Sequence, residues 1–334
     1  MESVPLHRIA IVLPFTRFLA EIGAPVEAEL RQAKLPVLAL DDVNAYVPSQ
    51  RFWTFAGNMA LREGIDDLGF RVGKRFGANC ADPNFSKILE RSPTLYHALK
   101  TTCRLVAKTT SRSPMWLARS SPEGSIKFIH HASFDASNRN LSQMDWFALM
   151  AMTGIVQLFA GPGWQPKRIG LTSHYEPVRS IRDQLPGTRL LLSQEYSYIS
   201  VENSLLGLPP LAHTGEASNV MPRPCKAVST DLAGSLKQAL LAYLKDSTLT
   251  IELAAEICST STRSLQRNLK KCGLTYSGLV DEVHFDAARI LLQDKDMNIT
   301  DIAHTLCFDD ASHFSRSFRR VAGVTPREFR RQAM

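Results

Sequence analysis

The chain has 334 residues, 44% of them hydrophobic and 21% charged, and carries a net charge of +7. These ordinary proportions exclude a disordered or fibrous chain, and the length allows two domains, each with its own core. A modest basic excess is compatible with a polyanionic partner without requiring one, so where the charge lies says more than its sum.

Near the start, PFTRFLAEI predicts a helix, and the apolar IAIVLPF between Arg8 and Arg17 lacks the cleavage site of a secretory signal. SQRFWTFAGNMALREG predicts a second helix with Ser49 as its N-cap. SPTLYHALKTTCRLVAKTT predicts a third, with Ser92 as cap and Pro93 at the first helical position. IKFIHHASF, RIGLTSHY and RLLLSQEYSYISV read as extended. Between the first two, the apolar run from Trp146 to Gly161 falls short of the roughly 20 residues that span a bilayer, so a buried helix is expected and no membrane partner. Residues 1–210 thus predict an α+β domain.

Chemistry has little foothold in this half. His130 and His131 are adjacent on a strand and point to opposite faces, which argues against a shared metal. The six cysteines show neither CxxC nor Cys/His metal spacing, so no metal or cofactor is expected and a reduced, cytoplasmic protein is. GxSxG, P-loop and GxGxxG motifs are absent from the sequence, so no enzyme is predicted. Trp53, Trp116, Trp164, Tyr175, Tyr196 and Tyr198 either line an effector pocket or pack in the core.

Periodicity is lost between Ser204 and Ala227, where Pro209, Pro210, Gly215, Pro222 and Pro224 collect, and residues 211–228 are expected to be a linker. Residues 229–334 then predict about seven helices. Ser229-Thr230-Asp231 caps the first, with Leu232, Leu236, Leu240 and Leu244 on one stripe, and Thr325-Pro326 opens the last. Charge here is nearly balanced, 14 basic against 13 acidic, but unevenly placed. Arg263, Arg267, Lys270 and Lys271 form one basic block, and six arginines between 312 and 331 form another.

The two blocks belong to a repeat. Leu265, Arg267 and Leu269 align with Phe314, Arg316 and Phe318 at a spacing of 49, Ala255 aligns with Ala303 at 48, and Gly273 with Gly323 at 50. Each copy has the parts of a helix-turn-helix: a small residue where the helices cross, a short turn, and a second helix with an apolar stripe and a basic outer face. The copies fall at about 250–272 and 299–321. Arg263, Gln266, Arg267, Ser312, His313, Ser315 and Arg316 are placed to read base edges, because arginine and glutamine can pair bidentately with guanine and adenine. Lys270, Lys271, Arg319 and Arg320, a turn further on, suit phosphates. A joining helix, Thr275 to Gln293, carries Leu279, Val283, Ala287, Ile290 and Leu291 on one face. It would set the two copies into successive major grooves about 34 Å apart.

In SLQRNLKKCG, AARILL, ITDIAHTLCF and HFSRSFRRVAGVTPREFR the C-terminal third resembles the DNA-binding domain of AraC/XylS-type transcription regulators. It departs from them at Cys307, and similarly at Ser259, where glycine is usual in the turn. VPSQRFWTFAG, LGFRVGKRF and the SPTLYHAL helix start resemble the arabinose-binding-type effector domain of the same regulators. The resemblance implies promoter DNA as partner, effector sensing, homodimerisation and a route to RNA polymerase. Two alternatives stay open: a ligand-independent DNA binder whose N-terminal domain only dimerises, and an N-terminal enzyme whose product controls the DNA-binding half.

Overall fold

The computed structural model describes residues 3–80, 85–120, 124–131, 142–211 and 227–332. In chain order the elements are β1 (Leu6–Arg8), α1 (Ile9–Glu21), α2 (Val26–Gln32), β2 (Tyr46–Pro48), α3 (Ser49–Arg62), α4 (Leu68–Phe76), α5 (Phe85–Leu89) and α6 (Leu95–Thr109). There follow β3 (Met115–Arg119), β4 (Ser125–His130), α7 (Ser142–Ala160), β5 (Arg168–Gly170), α8 (Arg179–Asp183), β6 (Arg189–Leu191) and β7 (Ser197–Glu202). The last seven are α9 (Leu232–Tyr243), α10 (Ile251–Ile257), α11 (Thr262–Lys271), α12 (Tyr276–Leu291), α13 (Ile299–Thr305), α14 (Ala311–Ala322) and α15 (Pro326–Gln332).

These elements form two compact units. One, α+β, comprises His7–Lys34 and Ser49–Ala227; the other, mostly α, comprises Met1–Leu6, Leu35–Pro48 and Val228–Met334. The sequence predicts a single division at a linker over 211–228, of which 212–226 lie outside the described residues. Two early segments instead join the C-terminal helices. Val4 donates its amide to Ser235 Oγ at 2.9 Å, and the amides of Val37 and Leu38 donate to the Asp246 carboxylate at 3.1–3.2 Å. Such short aperiodic segments carry no local signal of the core they will join.

In the α+β unit the strands run in the order β3-β4-β7-β5-β6, all neighbours antiparallel except β5 and β6. Helix α7, apolar all round, packs among them, and Phe128, Leu149, Met152, Val156, Ile199 and Val201 are wholly enclosed. A helix without a polar face has no solvent side and belongs in a core. Its closest neighbour is α4, the LGFRVGKRF segment. A methyl group built on Gly69 would sit 1.9 Å from the Gln143 carbonyl oxygen, and one on Gly73 would sit 2.7 Å from that of Phe147. The two glycines lower helix propensity but let the backbones touch, and the sequence reading accordingly missed this helix.

Other boundaries also move. Helix α6 begins at Leu95 with Thr94 as its N-cap, not at Ser92-Pro93. Ser49 is the first residue of α3, and its buried hydroxyl meets His7 Nδ1. RLLLSQEYSYISV divides into β6 and β7, and β3 was not anticipated. In the helical unit α9 is enclosed on nearly every side, so its leucine stripe is only part of what it buries. The buried stripe of α12 is Leu279, Val283, Ala288 and, just past its end, Leu292; Ile290, expected inside, is 62% exposed. Phe285, Phe308, Phe314, Phe318 and Phe329 stack in a chain with ring centroids 5.1–6.0 Å apart.

Candidate nucleic-acid interface and ligand cleft

The helical unit repeats itself in backbone as well as side chain. Thr250 and Asn298 cap α10 and α13, each accepting from the amide three residues on. Ala255 and Ala303 are enclosed, and their carbonyls accept from Thr260 and Phe308 at 2.9 Å in both copies. Ser259 and Cys307, at equivalent places in the two turns, hold left-handed φ of 49° and 58°. Ser261 and Asp310 cap α11 and α14, and Gly273 and Gly323 each end the pattern at φ 74°. The correspondence runs on to Thr275 and Thr325, which cap α12 and α15. The Thr325 cap is reciprocal, with Glu328 Oε2 accepting from the Thr325 amide at 2.8 Å. A left-handed non-glycine residue at the same point of both turns is held by its surroundings; in the second, Cys307 Sγ donates to the Leu244 carbonyl at 3.2 Å.

Anchors and basic faces separate as the spacing requires. Leu265, Leu269, Phe314 and Phe318 are enclosed, while Arg263, Gln266, Arg267, Lys270 and Lys271 on α11 are exposed. On α14 Ser312, His313, Arg316, Arg319 and Arg320 are exposed, and Ser315 is half-buried with its hydroxyl donating to the Ala311 carbonyl at 2.7 Å. Two side chains have internal attachments: the His313 ring lies edge-on to Phe308 at 5.3 Å, and Arg320 pairs with Asp281 of α12, which also accepts from Ser317 at 2.9 Å. Arg330 is likewise structural, donating to the carbonyls of Leu292 and Met297.

The α+β unit holds a cleft of about 230 Å³. Its walls come from α3 (Gly57, Ala60, Leu61), the first turns of α7 (Gln143, Asp145, Trp146), the segment after β5 (Leu171, Ser173, Tyr175, Glu176) and α8 (Ile181), with Asp66 at one side. Gln143 fixes the α7 end of the wall, accepting from the Gly69 amide at 2.7 Å and donating to the Asp66 carbonyl at 2.8 Å. Asp145 is enclosed and accepts from Thr172 Oγ1 at 2.7 Å. Burial pushes its carboxyl above the usual range, and the Thr172 hydroxyl, the nearby Ser197 hydroxyl and the His131 imidazole pull the other way.

Around Asp145 lies a buried polar region. His130 on β4 stands opposite Ser197 on β7, so both project from one face of the sheet. Among the described residues, Nδ1 of His130 and of His131, Ser197 Oγ and Trp53 Nε1 are buried without a hydrogen bond of good geometry. Ser197 Oγ lies close enough to favour the charge on Asp145 without forming a hydrogen bond of good geometry. Burial holds His7 and His130 neutral, with pKa values lowered to about 3 and about 4, and the neighbouring imidazoles add to the effect.

Of the six aromatic residues singled out in the sequence, Tyr175 lines the cleft. Trp53 is core, packed on Phe15, Phe52 and Phe147. Trp116 and Tyr196 pack edge-on to each other at 5.0 Å, Trp164 Nε1 donates to Glu202 at 3.4 Å, and Tyr198 lies under Lys127. The sequence reading passed over Asp145, Gln143 and Trp146. Asp145 was the one available signal, a carboxylate at the head of an otherwise apolar run.

A helix-turn-helix domain model matches residues 254–332. The model of the arabinose-binding domain at the N-terminus of AraC transcription regulators matches residues 23–209. Over 95 residues the chain is 39% identical to the HTH-type transcriptional activator RhaS of Enterobacter sp. (strain 638), 27% of this chain and 34% of that one. Over 192 residues it is 27% identical to the ornithine utilization regulator of Pseudomonas aeruginosa, 54% of this chain and 56% of that one. The matches therefore span from a third to just over half of these relatives' lengths. The crystal structure of the transcriptional regulator CdpR from Pseudomonas aeruginosa aligns over 95% of this chain and 96% of its own, at 16% identity and a TM-score of 0.41.

Proposed function

Because the chain belongs to the AraC family of transcription regulators, we propose that it binds specific promoter DNA through both helix-turn-helix units, under the control of a small molecule held in its α+β unit. The observation that carries this is the doubling. Two copies share their caps, their left-handed turn positions and their anchored basic helices, and chance does not repeat such a set in register. In this reading Arg263, Gln266 and Arg267 of α11, with Ser312, His313, Ser315 and Arg316 of α14, meet base edges. Lys270, Lys271 and Arg319 meet phosphates. Arg320 joins them only by leaving Asp281.

The role is regulatory, not catalytic. A homodimer acting in the cytoplasm on paired half-sites, with RNA polymerase as the next partner at the promoter, completes the proposal; no helix among the described residues is long and apolar enough to cross a membrane. Control works by population shift, the effector favouring one of two arrangements of the DNA-binding units. Selection of bound sequences from random duplex DNA should enrich a site with two elements about one helical turn apart. Recovery of unenriched DNA would remove the proposal.

A further inference from the structure

We propose that the cleft ending at Asp145 takes a small organic cation, an alkylammonium or alkylguanidinium compound, as the effector. This deepens the functional proposal above and rests on its sensing half.

The cleft is acidic. Asp66, Asp145 and Glu176 line the cleft, and among the described residues that line it there is no lysine, arginine or histidine. Glu176 is shared with Arg182 at 3.8 Å, at the exposed rim. Among the described residues no lysine or arginine is paired with Asp145; its polar neighbours are the Thr172 hydroxyl, the near Ser197 hydroxyl and the imidazole of His131. A carboxylate enclosed without a cation is costly to keep. The cost is recovered when a cation arrives through the opening that the carboxylate lines.

Orphaned polar atoms gather near that carboxylate. Ser197, 1% exposed, and His130, 4% exposed, carry polar atoms with no hydrogen bond of good geometry, and His131 Nδ1 shares that state. Buried polar atoms in native proteins are satisfied as a rule, and exceptions gather where a ligand or a functional step supplies the partner. An ammonium or guanidinium has several N–H donors, enough to engage Asp145 and still reach a neighbouring acceptor.

Much of the wall is apolar. Leu171, Ile181 and Trp146 are enclosed, while Leu61 and Tyr175 stand 67% and 49% exposed where they line the cleft. Large apolar side chains left in water beside a concave site suit the carbon skeleton of a ligand, and an aromatic face also attracts a cation.

Calorimetry on the full chain would compare 1,4-diaminobutane, n-butylamine and butylguanidinium with 1,4-butanediol, 1-butanol, butyrate and succinate. At least one cation should bind once per chain, roughly tenfold or more tighter than every uncharged or anionic probe. The Asp145→Asn chain should lose at least about tenfold of that affinity, as expected when a close charge pair is removed. Because Asp145 also holds Thr172, Glu176→Gln and Tyr175→Ala at the rim supply a second test, each expected to weaken binding by about threefold. Cations binding no better than the other probes would overturn the assignment, as would undiminished affinity in all three variants. If a neutral or anionic probe binds and changes operator affinity, sensing stands and the cation class falls. If no probe of any charge binds or alters operator affinity, the sensing proposal falls with it.

Discussion

Arg316, Arg319 and Arg320 share one helix and one charge but not one environment. Arg316 and Arg319 project from the exposed face of α14, whereas Arg320 is held by Asp281. Arg267→Ala and Arg316→Ala should each cost about 1–3 kcal/mol of binding to the selected site and much less on random DNA, the range for losing a good base contact. Arg319→Ala should weaken binding to all sequences and flatten the dependence of log affinity on log salt by about one unit. Arg320→Ala should leave that slope nearly unchanged, since its guanidinium already has an anion. Competition titrations over a range of salt would check all of these, and equal behaviour of Arg319 and Arg320 would show that the Asp281 pair gives way to phosphate. Spacing made the exposed face legible, but Arg320's partner lies 39 residues away on another helix.

At the scale of elements, the same small residues serve two different demands. Gly323 ends α14 in the left-handed region with open space where a side chain would go, so Gly323→Ala should cost about 1–2 kcal/mol through backbone conformation alone. Gly273, at the same φ of 74°, should cost the same, a quantitative check on the repeat by chemical denaturation. Gly69 is helical and sits against backbone. Gly69→Ala should cost about 1–3 kcal/mol by overpacking α4 against α7, and in the α+β unit. Equal costs at Gly273 and Gly323 but none at Gly69 would mean that the two helices separate freely. The helix-ending glycines could be read from position, whereas α4 could not, because its glycines make sense only beside α7.

For the whole molecule, the enclosed histidines tie stability to pH. His7 and His130 stay neutral in the fold, with pKa values lowered to about 3 and about 4, and would take up a proton near pH 6.5 once unfolded. The unfolded chain then binds more protons at mildly acid pH. The stability they contribute is fully present above about pH 6.5 and is lost as pH falls toward their folded values. Between pH 7 and pH 5 the loss is on the order of 2 kcal/mol for each histidine. His284, also lowered by burial, acts with the same sign in the helical unit, while Asp145, raised by burial, opposes it at the acid end. Thermal melts should show Tm falling over this range and His130→Gln flattening the fall; a Tm independent of pH would mean that these imidazoles are solvated.

Legible in residue order alone is whatever repeats within a few turns of chain: the paired helix-turn-helix units, their anchors, the basic faces and the apolar α7. Helical period and local capping act between neighbours, so residue order is enough to reveal them. It takes the folded chain to show that residues 35–48 join the C-terminal helices, that Arg320 is bound to Asp281, and that Asp145 lines a cleft while Trp53 fills a core. Those outcomes depend on groups brought together from distant parts of the chain. Burial, which sets both the charge state of a carboxylate and the use of an aromatic ring, exists only once the packing does.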